Sequence, residues 1–236
     1  MSPKSTLRSS TIGLVALACL SLAACSNRQN NDLSATDMIK GSLAAIFKKD
    51  GVKSPDPNAL AQQAASILAN TSGQVILLAI PSRDAMTVMQ EIERNGPYVT
   101  FGSSDRRSIT LKAGIVTATR GLGNDLLSSD VDAVSAIIRA RKVGKAYRVN
   151  RYLDGENITV TLDPYCQVKP DGSGQVALGE VHTSTTRMLE SCIADKDEFR
   201  DTTFQNSYQV SPGGRIVQSR QWVSPMNGYI VIQSLR

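Results

Sequence analysis

From residue 146 onward the sequence leaves little freedom in fold class. Short runs rich in β-branched and aromatic residues alternate with turns of three or four residues. Ala146–Leu153 and Ile158–Leu162 flank Asp154-Gly155-Glu156-Asn157. Phe204–Val210 and Arg215–Val223 flank Ser211-Pro212-Gly213-Gly214, and Gly228–Leu235 follows Pro225-Met226-Asn227. Connections this short join antiparallel neighbours, because a parallel crossover needs roughly a dozen residues. This part of the chain is therefore expected to form antiparallel sheet.

The same logic extends upstream. Ser108–Leu111 and Ile115–Thr119 flank Lys112-Ala113-Gly114, which reads as another hairpin. The apolar run Gln74–Ile80 reads as a buried strand. Ahead of it the period changes to that of helices. Ser34 and Asp37, flanked by Leu33 and Met38, resemble a capped and stapled start. Ile39, Leu43, Ile46 and Phe47 then share one face, and Gly51 can end the helix. Asp56-Pro57 opens a second helix with Leu60, Ala64, Ile67 and Leu68 inward. A third, shorter helix is expected over Ser129–Lys142, with Val131, Val134, Ile137 and Ile138 inward. The fold class expected is mainly β with N-terminal helices. Its antiparallel sheets would be barrel-like or sandwich-like, in a single domain over residues 33–236.

Residues 1–24 stand outside that argument. Lys4 and Arg8 precede an apolar run, Ile12–Ala24, too short to span a bilayer. They describe a secretory signal peptide. Leu22-Ala23-Ala24-Cys25 resembles a lipobox, whose cysteine becomes the acylated (palmitate-bearing) N-terminus of a lipoprotein. Cys19 does not fit, because bulky Leu17 lies two residues before it. Ser26 follows Cys25, where an Asp resembles the signal for inner-membrane retention; the destination implied is the outer membrane, facing the periplasm. Residues 25–32 form a lipidated cysteine and a polar tether.

Removing Lys4 and Arg8 lowers the net charge from +5 to +3, a mild excess that does not argue for nucleic acid. Cys166 and Cys192 are the two cysteines left for the fold. In an oxidising compartment an even pair reads as a disulfide, with two buried thiols as the alternative. No metal site is expected: there is no CxxC, and His182 is the single histidine.

Signatures of catalysis are sparse. GxSxG and HExxH do not occur. The Gly-x-Gly of Arg120–Leu126, RGLGNDL, reads as a tight turn rather than a phosphate loop. Asp195, Asp197 and Glu198 read as a solvated turn. The basic run Arg139–Arg151, RARKVGKAYRVNR, holds six bases and no acid in thirteen positions. Lys145, Tyr147 and Arg151 could share a strand face, and such a face could attract an anionic polysaccharide or lipid headgroups. The lone Trp222 is either a packing anchor or a sugar-stacking ring. Candidate glycan or partner contacts are therefore Trp222, Arg220, Lys145, Arg148 and Arg151.

Several segments together carry a resemblance. The lipobox at Cys25, SITLKAGIVTATRGLGNDL from Ser108, the cysteine pair with LESC, FQNSYQV from Phe204 and SRQWVSP from Ser219 resemble the YjbF family of lipoproteins, which is linked to group 4 capsule. The resemblance implies a β-rich periplasmic domain held on the outer membrane. It implies a role in secreting or assembling an exopolysaccharide or capsule, with polysaccharide export proteins as partners. No enzymatic activity and no cofactor come with it. A periplasmic glycan-binding module and an envelope enzyme acting on glycan are the alternatives.

Overall fold

The structure, a computed structural model, describes residues 56–194 and 199–236. The expected signal peptide, Cys25, the tether, the helix over residues 33–51 and the Asp195, Asp197 and Glu198 cluster lie outside the described residues. Among the described residues no helix is long and apolar enough to cross a membrane.

Helix α1 (Pro57–Asn70) starts as its sequence predicts. Asp56 caps it by accepting from the Asn58 N–H at 2.9 Å, and Pro57 occupies the first turn. Leu60, Ala61 and Ala64 pack on Val75, Leu77, Val88 and Leu235. Strand β1 (Val75–Ile80) is buried at every position. Val75 and Leu77 meet α1, while Ile76, Leu78 and Ile80 enter the main core. That two-sided burial explains an apolar run without alternation.

Strand β1 lies inside an eleven-stranded sheet. On one side follow β2 (Ala85–Asn95), β3 (Tyr98–Gly102), β4 (Ser108–Lys112) and β5 (Ile115–Arg120), a meander of antiparallel neighbours. On the other side β14 (Gly228–Ser234) pairs with β1, then come β13 (Ile216–Ser224), β12 (Thr202–Val210), β11 (Val181–Ala194), β10 (Tyr165–Leu178) and finally β7 (Gly144–Tyr147). A second, three-stranded sheet is built from β6 (Ser128–Asp130), β8 (Val149–Leu153) and β9 (Thr159–Leu162). Tyr152 and Leu162 carry it onto the main core, and the Tyr152 hydroxyl donates to the Val223 carbonyl at 2.6 Å.

The large sheet is open rather than a closed barrel: β5 and β7 are its two ends. Yet β5 comes across to β13, where one side chain stands in for a ladder. The Gln221 amide accepts from the Val116 N–H at 3.0 Å and donates to the Gly114 carbonyl at 3.0 Å. Gly114 permits that approach. Its φ is +89°, and a Cβ there would lie 2.7 Å from the Ile216 Cβ.

Two local expectations change. Helix α2 covers only Asp132–Arg139, because Ser128–Asp130 pair with β8 instead of continuing the helix. Val134 and Ile138 do point inward, against Tyr208 and Val210. The run Ala146–Leu153 is not one strand. It breaks at Arg148, sending β7 into the large sheet and β8 into the small one. The turn after β5 is as expected. Asp125 accepts from the Gly121 and Leu122 N–H groups at 2.8 and 3.0 Å, so the chain's own carboxylate holds the amides that a phosphate would use.

Candidate functional site

The break at Arg148 decides what the basic run can do. Side chains alternate in direction along a strand. Lys145 and Tyr147 face out on β7, whereas Ala146 is buried. Arg148 follows the inward parity and is 2% exposed. Its Nη1 donates to both carboxylate oxygens of Glu190 at 3.2 and 3.1 Å. Glu190, fully buried on β11, also accepts from the Asn206 amide at 2.8 Å and the Tyr208 hydroxyl at 2.6 Å. Burial opposes the charge on Arg148, but the Glu190 carboxylate outweighs it and the guanidinium is held more firmly protonated than usual. Burial and then the charge of Glu190 push the Tyr208 phenol well above its ordinary range.

Arg148 is thus a structural cation pinning the crossover between the two sheets, not the glycan contact expected from sequence. Lys145, Tyr147 and Arg151 do not share one strand either: Arg151 is exposed on β8, in the other sheet. His182 is exposed at the start of β11, its Nε2 3.2 Å from the Gly179 carbonyl oxygen.

Beside this network, Cys166 and Cys192 stand directly opposite each other on β10 and β11 and form a disulfide. The chain-entropy model gives a bridge with this separation of 26 residues about 3.5 kcal/mol. Its sulfurs are bonded to each other, so the cluster they form with Glu190 offers no thiolate to a metal. The bridge also fixes register. With both cysteines inward, their strand neighbours Tyr165, Gln167, Ser191 and Ile193 must face out.

Those outward residues line a shallow concavity of about 570 Å³ that continues over Thr203, Gln205 and Tyr229. At one end Tyr147 and Tyr165 stand 5.1 Å apart, ring to ring, and Tyr147 is 65% exposed. At the other, β12 and β13 separate beyond the Ser207–Arg220 pair. Side chains fill the gap: the Gln205 N–H donates to the Tyr229 hydroxyl at 3.1 Å, and Asn206 accepts from the Trp222 N–H at 2.7 Å. Arg220 lies over the Tyr229 ring at 3.4 Å. Trp222 is half-buried, stacked on Phe204 at 4.7 Å and packed against the main core.

The concavity's lining has tyrosine rings, amides and hydroxyls and no carboxylate. Exposed tyrosines offer apolar faces with a polar tip, and side-chain amides and hydroxyls match the alternating donors and acceptors of a sugar. Lys145 flanks one end through its register with Gln167, and Arg220 caps the other. Of the sequence candidates, Lys145, Arg220 and Trp222 belong to or border this face; Arg148 and Arg151 do not. Sequence reasoning missed Tyr165 and Tyr229. The position of Tyr165 beside Cys166 was the available signal, because an inward cystine turns its neighbour outward.

The family described as "Group 4 capsule polysaccharide lipoprotein gfcB, YjbF" matches residues 41–235. No curated protein matches the chain. The crystal structure of the hypothetical lipoprotein YmcC from Escherichia coli K12 is similar in fold, with a TM-score of 0.62 at 15% identity; the match covers 86% of this chain and 96% of that one.

Proposed function

Because the chain belongs to the YjbF family of group 4 capsule polysaccharide lipoproteins, we propose that it serves polysaccharide export as an acylated, non-enzymatic factor on the outer membrane. The family match over residues 41–235 carries this reading. Cys25 provides the anchor: each buried methylene contributes about 0.8 kcal/mol, so several acyl chains hold the protein durably. Residues 26–32 give the domain reach into the periplasm. Confinement to the membrane raises its effective concentration toward polysaccharide export proteins. Glu190, the buried carboxylate on β11, already accepts from Arg148, Asn206 and Tyr208, which fits a structural role.

The tyrosine-lined concavity favours a second, compatible reading, direct contact with the glycan. Deleting the gene tests the first: the amount, chain length or surface retention of the polysaccharide should change. All three unaltered would remove the basis for the reading.

A further inference from the structure

A second cavity lies away from the tyrosine face. About 340 Å³ opens between the β2–β4 strands and the start of β13, with Ile76, Val99, Phe101 and Leu111 among its walls. Arg94, Arg139 and Arg215 line it, and no aspartate or glutamate does. Arg94 has a carboxylate partner, Glu91, at 2.9 Å. The other two are tied differently. Arg139 Nε donates to the Gly214 carbonyl at 3.1 Å, and Arg215 Nη2 to the main-chain oxygen of Arg236 at 2.6 Å. Next to them, Arg141 Nη1 donates to the Ser211 and Pro212 carbonyls at 2.7 and 2.8 Å.

Two guanidinium groups, Arg139 and Arg141, are therefore held against the Ser211–Gly214 turn by neutral carbonyl oxygens, and Arg215 follows the turn directly in the chain. A carbonyl orients a guanidinium but does not cancel its charge. Each guanidinium carries five N–H donors, and these contacts engage one on Arg139 and one on Arg215. What remains is an oriented fork geometry suited to bidentate oxyanions. The walls add apolar surface, and Gln74 and Gln218 add amides. The volume lies at the lower end of ligand pockets, about 300–1,000 Å³, which suits a short stretch of glycan.

We propose that this cleft binds a carboxylate-bearing sugar of an acidic polysaccharide, with Arg139 and Arg215 receiving the carboxylate. The C–H faces of the sugar lie on the apolar walls, and Gln74 and Gln218 take its hydroxyls. The inference builds on the polysaccharide reading above and names the chemistry that the cleft selects. An anionic lipid headgroup would also meet guanidinium groups, but the amides and the shallow volume favour a sugar over an acyl-bearing molecule.

The test is isothermal titration of the full mature protein in detergent with oligogalacturonate and oligosialic acid, against neutral dextran oligomers and glycerol phosphate, the soluble counterpart of an anionic lipid headgroup. Binding is expected for at least one acidic oligomer and not for dextran. Arg139→Gln with Arg215→Gln should weaken it by about tenfold to a hundredfold. Arg215→Lys keeps the charge without the fork and should weaken it less. Unchanged thermal melting of the exposed-site variant Arg215→Gln, together with weaker binding, separates recognition from folding. Binding to neither acidic oligomer, equal binding by the double variant, or binding to glycerol phosphate alone overturns the inference. Cleft variants that bind normally in a strain whose gene deletion does alter the polysaccharide defeat only the cleft; an unaltered deletion strain defeats the wider reading, whatever the cleft binds.

Discussion

Replacing Arg148 by methionine removes one partner of a buried ion pair and leaves Glu190 at zero exposure without a cation. Asn206 and Tyr208 still donate to the carboxylate, so its hydrogen bonding is only partly lost. Breaking a buried pair from one side costs about 3–5 kcal/mol, because the remaining charge stays desolvated. In a domain of this size each kcal/mol lowers Tm by about 2–4 °C, so the melting point should drop by roughly 6–20 °C. The assay is urea and thermal unfolding followed by near-ultraviolet circular dichroism, with the disulfide intact. Combining Arg148→Met with Glu190→Leu removes both charges. It should recover part of the loss, though not all, because each of the stranded donors on Asn206 and Tyr208 costs about 1–3 kcal/mol. A single variant within about 0.5 kcal/mol of wild type, smaller than the effects expected of buried polar groups, would refute the reasoning. So would a double variant whose loss equals the sum of the two single losses, since contacting residues should couple.

Gln221→Ala should destabilise the fold by about 1–3 kcal/mol for each of Val116 N–H and Gly114 C=O left without a partner; hydrogen exchange at Val116 reads it directly, and unchanged protection there would contradict the bridging role. Alkaline stability follows from the buried phenols. Tyr208 and Tyr152 have pKa values raised by burial above the ordinary 10.0, so the native state keeps protons that the unfolded chain releases. Their contribution is complete below pH 10 and is lost as pH rises through the folded values. Urea midpoints should fall above pH 10, and Tyr208→Phe should flatten that fall; an identical slope in the variant counts against it.

The parts of the fold that were legible in sequence are those set by neighbours in the chain. Ser211-Pro212-Gly213-Gly214 forces a tight reversal whatever surrounds it, and the β12–β13 hairpin lies where it was expected. The capped start of α1 and the unalternating β1 are equally local. The β10–β11 hairpin escaped because Pro170 and Gly172 interrupt its pattern. They sit at a bulge, beyond the short reach of β7, where an edge tolerates proline. Arg148 shows a different limit. The basic run suggested a surface contact at this position; although Arg148 shares parity with buried Ala146, the carboxylate that lets a charge stay inside lies 42 residues away. The tyrosine face has the same character, since Tyr165 and Tyr229 meet one concavity only after the five strands β10 to β14 are in register.

A deletion strain carrying the gene again, either intact or as Cys25→Ser, measures the function and its anchor together. Quantified surface polysaccharide should fall on deletion and return with the intact gene. It should stay low with Cys25→Ser even though the protein is present and soluble in the periplasm. Polysaccharide unchanged by deletion, or fully restored by the unacylated protein, would contradict an export factor that works from the membrane.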